Sequence, residues 1–148
     1  MEQNHANSLH KTIIFPDISS LVSFNQKTKN KFSTKKKLIF TGNMNCSPCV
    51  IRLKKIQEFL DKKNIDNRTI DFFYFGFGDY TEYFTYQIHE NDFSYQIYGD
   101  LESKIISKNN LVGMEETTLL LDQNNKLLLI GDLLSNKEMS ELFYNTMK

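Results

Sequence analysis

The chain has 148 residues, of which 18 are basic and 18 acidic, so its formal net charge is zero. An apolar fraction of 40% and a charged fraction of 24% are typical of a globular domain with one sizeable core, and they exclude an intrinsically disordered chain. The balanced charge predicts no overall attraction to nucleic acid, and no stretch approaches the roughly 18 consecutive apolar residues that a membrane span needs.

The N-terminal part of the chain is predicted to be a flexible segment followed by a short strand. Residues 1–17 begin with a run rich in Asn, Gln, His and Ser, and polar chain ends are often poorly ordered. This run lacks the apolar centre of a signal peptide. A mature fragment from which a signal peptide has been removed would begin in the same way. Residues 18–24 predict a first strand, and residues 25–34 predict a polar turn. We therefore expect a flexible segment over residues 1–17 and one domain over residues 18–148.

The next part of the chain predicts a strand, a helix and a second strand. Residues 37–41 form a short apolar run, which is typical of a strand buried on both faces. After a loop over residues 42–45 and the two cysteines, apolar residues at helical spacing predict a helix over residues 50–63, which Asn64 would end. Residues 68–75 predict the second buried strand. Together these elements form a βαβ unit, whose crossover is right-handed in nearly all proteins.

The C-terminal half continues this alternation of helices and strands. Its predicted elements are a helix over residues 80–88, a strand over 93–98, a short helix over 101–107, strands over 117–122 and 126–131, and a last helix over 136–147. A polar turn over residues 123–125 would join the last two strands as a hairpin. Either Ser135 or Asn136 can cap the last helix. No linker interrupts this order, so the sequence predicts one three-layer α/β domain.

The only two cysteines of the chain, Cys46 and Cys49, lie where the first buried strand leads into a helix. A helix N-terminus carries about +0.5 of a charge and unsatisfied N–H groups, which stabilise a thiolate. Pro48 fits the first helical turn because its missing N–H has no partner to lose there. These features predict a redox pair, in which one sulfur attacks a disulfide and the other resolves the mixed disulfide.

Two other interpretations of the cysteine pair remain open: half of a metal site, or two inert thiols. A structural zinc site needs four ligands, and His5, His10 and His89 are the only further His or Cys side chains in the chain. We therefore expect no metal. The chain also lacks a flavin or nicotinamide fingerprint, so we expect no cofactor and predict that redox equivalents pass through protein partners.

The element order over residues 18–148 and the cysteine motif resemble the thioredoxin fold, specifically the TlpA/ResA branch of thiol-disulfide oxidoreductases. The matching segments are Leu38-Ile39-Phe40, Cys46-Ser47-Pro48-Cys49, and the late hairpin over residues 116–131. The resemblance implies a three-layer α/β/α sandwich with a mixed central sheet. It also implies that Cys46 is the exposed nucleophile and Cys49 the buried resolving thiol. Members of this branch are exported and often membrane-tethered, which implies a periplasmic or cell-envelope location.

The sequence departs from that family around the cysteines. Asn45 replaces the usual tryptophan, and Phe40 stands where thioredoxin has a buried aspartate. The family's cis-proline would fall near Glu116 or Thr117, but the two prolines of this chain lie elsewhere. Arg52 stands where the TlpA/ResA branch has a glutamate, three residues after the second cysteine.

These replacements change the electrostatics that the resemblance implies. Arg52 would favour a thiolate and raise the reduction potential by stabilising the reduced form. Glu116 would oppose the thiolate if it faces Cys46. A solvated strand entry explains residues 115–116 equally well, so both interpretations of Glu116 stay open. We take Pro48, Arg52, Glu116 and Thr117 as the supporting residues of the site.

Aromatic residues are concentrated in one region, with 12 of the 19 lying between residues 72 and 98. Those of the predicted strand are expected to fill the core. Tyr80, Tyr83 and the loop over residues 76–79 would form a partner surface if they are exposed.

Two classes of function fit the sequence. The leading hypothesis is a thiol-disulfide oxidoreductase that acts on protein disulfides or dithiols and exchanges electrons with an external redox partner. The alternative is a thioredoxin-fold binding or redox-sensing module with little general exchange activity. A chaperone that holds a soft ion such as Cu(I) between the two sulfurs is a weaker third hypothesis.

Overall fold

The structure is a computed structural model that describes residues 9–25, 35–66, 68–111, 113–114 and 116–148. The strands in this part of the chain are β1 (Val22–Ser23), β2 (Lys36–Asn43), β3 (Ile70–Phe77), β4 (Gln96–Gly99), β5 (Thr118–Leu121) and β6 (Leu127–Gly131). They form one mixed sheet in the order β1-β4-β3-β2-β5-β6. The central strands β2, β3 and β4 are parallel, whereas β1, β5 and β6 pair antiparallel to their neighbours.

Helices cover both faces of this sheet. Their bounds are α1 (Ser47–Lys62), α2 (Glu82–Glu90), α3 (Lys104–Ser107) and α4 (Lys137–Met147). Buried side chains of α1, α2 and α4 share a core with one face of the sheet, while α3 packs on the opposite face with residues 9–21. The predicted three-layer α/β/α sandwich with a mixed central sheet is therefore confirmed.

The helices begin where polar side chains can cap them. Thr81 accepts a hydrogen bond from Phe84 N at 3.1 Å at the start of α2. Of the two predicted caps for α4, Asn136 is the one observed, and it accepts from Met139 N at 2.8 Å. Asn64 adopts a left-handed conformation (φ 54°) just after α1, as expected of a residue that ends a helix.

The prediction of a strand over residues 18–24 is wrong for most of its length. Ile18–Ser20 is a 3-10 helix, and β1 has only two residues. The side chain of Asp17 accepts a hydrogen bond from Ser19 N at 3.1 Å, which favours a turn over an extended chain. Apart from Asn25, the predicted polar turn over residues 25–34 lies outside the described residues.

Residues 9–17 contact the edge of the sheet, although they fall within the segment expected to be flexible. Thr12 forms a β-bridge with Lys126, and His10 N donates to Leu127 O at 2.7 Å. The side chain of Asn109 bonds both the N–H and the C=O of Ile14, at 2.7 and 2.8 Å. The division of the chain at residue 18 remains a prediction.

The parallel strands β2 and β3 end side by side, with Asn43 paired to Phe77. Immediately after β2, Met44 N donates to Phe77 O at 3.1 Å. This hydrogen bond fixes the short loop that leads into α1, and therefore places both cysteines at the carboxyl edge of the parallel strands.

Candidate active site

The two cysteines lie at the N-terminus of α1, as the sequence predicts. Cys46 is the N-cap residue, with extended backbone angles (φ −157°, ψ 149°), and Pro48 is in the first turn. The preceding loop is held by the side chain of Asn43, which accepts a hydrogen bond from Asn45 N at 2.8 Å. The side chain of Cys46 therefore starts from the positive end of the helix dipole.

Cys46 and Cys49 are joined by a disulfide, with their Cα atoms 5.3 Å apart. This separation is within the usual range of about 4.4–6.8 Å. Cys46 is half-buried, whereas Cys49 is 5% exposed. A thiol that approaches from solvent consequently reaches the sulfur of Cys46 more easily than that of Cys49.

A groove of about 290 Å³ borders the disulfide and is built from three segments of the chain. Its lining beyond the cysteines is Pro48, Ile51, Arg52 and Lys55 from α1, Glu116 from the segment before β5, and Asp132 and Leu134 from the segment after β6. Apolar side chains and charges of both signs thus lie beside the sulfurs. Arg52 and Glu116, two of the supporting residues named from the sequence, both line this groove, and their roles in the site stay predictions.

Arg52 forms an ion pair with Asp132, with 3.1 Å between Nη1 and Oδ1. The side chain of Arg52 is 12% exposed and that of Asp132 is 36% exposed. The Nε and Nη2 atoms of Arg52 are buried and have no hydrogen-bond partner among the described residues. A mostly buried guanidinium therefore has one carboxylate partner, and that carboxylate lies towards solvent.

The segment of Glu116 and Thr117 is anchored to β2 by Thr41. Thr117 N donates to Thr41 Oγ1 at 3.1 Å, and Thr41 N donates to Thr117 O at 3.0 Å. Thr117 is itself buried, whereas Glu116 is exposed and reaches the groove. Thr117 thus holds the groove wall in place, while Glu116 presents a carboxylate to it.

Sequence reasoning missed Asp132 and Leu134. Both follow Gly131 in a loop, where neither periodicity nor motif spacing marks them. Their proximity to α1 results from the order of β2, β5 and β6 in the sheet. The sequence alone does not indicate that Asp132 is the partner of Arg52, because the two residues are 80 positions apart.

Most of the aromatic residues of β3 lie in the core, as the sequence analysis expected, and this strand continues to Phe77, into the predicted loop over residues 76–79. Those of β3 between residues 72 and 75 are buried. On and just before α2, Tyr80, Tyr83 and Tyr86 are 45%, 48% and 57% exposed. His89 is also exposed near the end of α2.

Two further properties of the described residues bear on ligands and membranes. Within the described ranges, no group of three or more His, Cys, Asp or Glu side chains is arranged to hold a metal ion. Likewise, none of the helices in the described part of the chain combines the length and apolar character of a membrane span.

Comparison with known proteins identifies the fold. A scan against protein-family models finds no match, and no curated protein matches the sequence. A thiol-disulfide oxidoreductase from Bacteroides fragilis is similar with a TM-score of 0.61 at 14% identity, over 82% of this chain and 88% of that one. StoA from Bacillus subtilis is similar with a TM-score of 0.60 at 14% identity, over 88% and 99% of the two chains. A secreted disulfide oxidoreductase from Mycobacterium tuberculosis matches with a TM-score of 0.53 at 9% identity, over 74% and 78%.

All three likenesses extend over 74% or more of both chains. The resemblance to thioredoxin-like proteins predicted from the sequence is thereby confirmed at the level of the fold. The chain is a thioredoxin-like α/β domain that carries a CxxC disulfide at the N-terminus of its first helix.

Proposed function

We propose that this protein is a thiol-disulfide oxidoreductase that exchanges disulfides with protein partners through Cys46 and Cys49. The observation that carries the proposal is the unequal burial of the two bonded sulfurs at a helix N-terminus. Cys46 is half-buried and Cys49 is buried, so one sulfur can exchange with a partner while the other stays inside. Structural neighbours with the same fold are thiol-disulfide oxidoreductases by name.

The exchange takes place in two displacement steps. When the protein acts as reductant, the Cys46 thiolate attacks a substrate disulfide, forms a mixed disulfide and expels one substrate thiolate. Cys49, once deprotonated, then attacks Cys46 Sγ and expels the second substrate thiolate. The protein ends as the disulfide and the substrate has gained two electrons. The reverse sequence transfers the disulfide to a substrate dithiol, and in either direction an external thiol or disulfide partner restores the starting state.

Protein substrates suit the groove beside the sulfurs. Pro48 and Ile51 are exposed apolar side chains on one wall, and Leu134 lies on another. An extended substrate segment could bury apolar side chains there while its cysteine reaches Cys46. A location in the periplasm or cell envelope, with a membrane tether in a longer form, follows from the resemblance to the TlpA/ResA branch. The secreted neighbour from Mycobacterium tuberculosis supports such a location.

A turnover assay tests this proposal. We expect the protein to accelerate the reduction of insulin disulfides by dithiothreitol, and we expect Cys46→Ser to reduce the rate to that of dithiothreitol alone. Lys54→Met is the matched control, because Lys54 is an exposed residue of α1 that does not line the groove. Equal rates for the wild-type protein and Cys46→Ser would contradict the proposed activity.

The exposed tyrosines favour one second candidate, a binding or redox-sensing module. Tyr80, Tyr83 and Tyr86 form an exposed aromatic group on and just before α2, and such groups are common at protein interfaces. In this case the disulfide would form and break on exposure to oxidant or reductant but would not turn over on insulin. The same assay therefore separates the two functions.

A further inference from the structure

The direction of electron flow depends on which redox state the surroundings of the cysteines favour. In the oxidised protein the disulfide is neutral, and the most buried charge beside it is the guanidinium of Arg52. Cys49 and Arg52 are three residues apart on α1, which places their Cβ atoms about 5–6 Å apart. Both residues line the same groove.

Two hydrogen-bond donors of Arg52 are buried and unpaired. Arg52 Nε and Nη2 are buried without a partner in the described part of the chain. An unpaired donor on a buried cation is costly, because it has lost its water and gained no acceptor. Reduction of the disulfide offers a new acceptor one turn away on α1, since a thiolate at Cys49 accepts hydrogen bonds and carries a negative charge.

The acidic groups that face the groove are placed nearer to solvent than these donors. Glu116, from the segment before β5, is exposed. Asp132, from the segment after β6, is 36% exposed and occupies only Nη1 of Arg52. Water and salt weaken the repulsion between such carboxylates and a thiolate, whereas the attraction of Arg52 acts across a buried region.

The remaining groups near Cys49 do not reverse this balance. Lys55, one turn after Arg52 on α1, adds a second positive charge to the groove. Tyr74 of β3 lies beneath α1, and burial raises the pKa of its hydroxyl well above the usual value, so it stays neutral. Burial of Cys49 opposes an anion on its sulfur, whereas the positive charges of Arg52 and Lys55 favour one.

We infer that the cysteine pair acts as a disulfide donor to protein dithiols, because Arg52 stabilises the Cys49 thiolate of the reduced protein. This inference rests on the proposed exchange activity and adds its direction. A state that is stabilised when reduced makes the corresponding disulfide a stronger oxidant.

The donor reaction takes place in two displacement steps. A substrate thiolate attacks Cys46 Sγ, the Cys46–Cys49 bond breaks, and its electron pair leaves on Cys49, where Arg52 stabilises it. The second substrate thiolate attacks the substrate sulfur of the mixed disulfide and expels the Cys46 thiolate at the helix N-terminus. The substrate loses two electrons and its two thiol protons pass to solvent. A protein disulfide of higher potential then reoxidises Cys46 and Cys49.

The decisive measurement is the equilibrium constant for oxidation of reduced glutathione by the protein disulfide. We expect Arg52→Met to lower this constant by about tenfold or more, where tenfold corresponds to about 30 mV for a two-electron couple. Arg52→Lys keeps a positive charge and should lose less than Arg52→Met. Lys54→Met removes a charge that points away from the groove and should leave the constant unchanged.

Two further measurements test the inference without any Arg52 variant. The reduced wild-type protein should unfold at a higher urea concentration than the oxidised protein, because the unfolded dithiol has no contact with Arg52. In Cys46→Ser, the absorbance of the lone Cys49 thiolate should appear below the pH of about 8.5 at which an ordinary thiol titrates. These results decide the matter if Arg52→Met does not fold.

These measurements distinguish failure of the inference from failure of the proposed function. An unchanged or higher equilibrium constant for Arg52→Met, or an oxidised form more resistant to urea than the reduced form, overturns the inference and leaves the exchange activity standing. A disulfide that never equilibrates with glutathione contradicts the proposed function itself, and the inference falls with it.

Discussion

Arg52 of α1 and Asp132 of the segment after β6 form an ion pair across the groove that borders the disulfide. The pair joins two parts of the chain that are 80 residues apart in sequence. In the stabilisation of a thiolate by Arg52 that we infer, Asp132 competes with the thiolate for the same positive charge. Changes to Asp132 should therefore affect both the stability of the fold and the redox equilibrium of the cysteines.

We expect Asp132→Asn to make the disulfide more oxidising. The amide retains the oxygen that accepts a hydrogen bond from Leu134 N at 3.0 Å, but it removes the negative charge beside Arg52. The oxidised fold then holds a mostly buried cation without an anion, and we expect it to lose about 1–2 kcal/mol, between the values for exposed and buried pairs. Glutathione equilibration and urea unfolding measure the two effects.

The control for Asp132→Asn is Asp66→Asn. Asp66 also pairs with an arginine, Arg68, at 2.7 Å, but both side chains are largely exposed. Because water screens this pair, its loss should change neither the glutathione equilibrium nor the urea midpoint appreciably. A weaker oxidant after Asp132→Asn would mean that Asp132 does not compete with the thiolate for Arg52.

We expect Cys49→Ser to trap mixed disulfides. Cys46 lies at the helix N-terminus and can still attack, but the buried sulfur that releases the partner is gone. Incubation of the reduced variant with a substrate protein that contains a disulfide, followed by non-reducing electrophoresis, should show a covalent complex that dithiothreitol cleaves. Cys46→Ser should form far less of this complex, because Cys49 is only 5% exposed. Equal trapping by both variants would reverse the assigned roles.

We expect Thr41→Val to destabilise the fold and slow exchange. Valine has nearly the same shape, but it leaves Thr117 N without the acceptor that now lies 3.1 Å away. A buried unsatisfied N–H costs about 1–3 kcal/mol, and the loosened segment carries Glu116 at the groove. Urea unfolding and insulin turnover measure the two effects. Thr85→Val, on α2 and away from the groove, is the control that should leave turnover unchanged.

The local features of the site could be predicted from the sequence because each depends on neighbouring residues. A short apolar run before Cys46 and helical spacing after Cys49 suffice to place the pair at a strand-to-helix junction. The cap of α4 is also a local feature, because Asn136 is a preferred N-cap residue and directly precedes the helix that it caps. The groove position of Glu116 followed from the resemblance to a known family rather than from any pattern in the residues.

The features that sequence reasoning missed depend on contacts between distant segments. Asp132 pairs with Arg52 only because the fold brings the end of β6 close to α1. Ile18 of the 3-10 helix Ile18–Ser20 packs on the face of the sheet that carries α3, and the single turn of this helix is too short to show a period. The hydrogen bonds of Asp17 decide its conformation instead.

We expect Tyr74→Phe to leave the oxidised protein as stable as the wild type or to stabilise it by about 1 kcal/mol at neutral pH. The Tyr74 hydroxyl is buried and has no partner in the described part of the chain. It lies against Gly42, where the atoms of any larger side chain would collide with it. Phenylalanine keeps the ring and removes the unpaired polar group. A loss of stability in urea unfolding would mean that the hydroxyl has a favourable interaction in solution.

The buried phenols should also make the fold sensitive to alkali. Burial is the largest cause that raises the pKa of both Tyr74 and Tyr95, whereas the phenols of the unfolded chain ionise near pH 10. Below that pH both states are protonated, so the contribution of these residues to stability is constant. Above it the unfolded chain binds fewer protons, and stability should fall by up to about 1.4 kcal/mol per pH unit for each tyrosine.

Lys37 contributes with the opposite sign over a different range. Burial lowers the pKa of its ammonium below 10.5, so between the lowered value and 10.5 the unfolded chain binds more protons and stability rises with pH. Above pH 10.5 this contribution stops changing and the tyrosine effect remains.

Urea midpoints measured from pH 9 to 11.5 should therefore decline at the alkaline end, and Tyr74→Phe should reduce that decline. Tyr86→Phe is the control, because the Tyr86 ring is 57% exposed in the folded protein. An identical alkaline decline in Tyr74→Phe and the wild type would show that the Tyr74 phenol is not protected from ionisation by the fold.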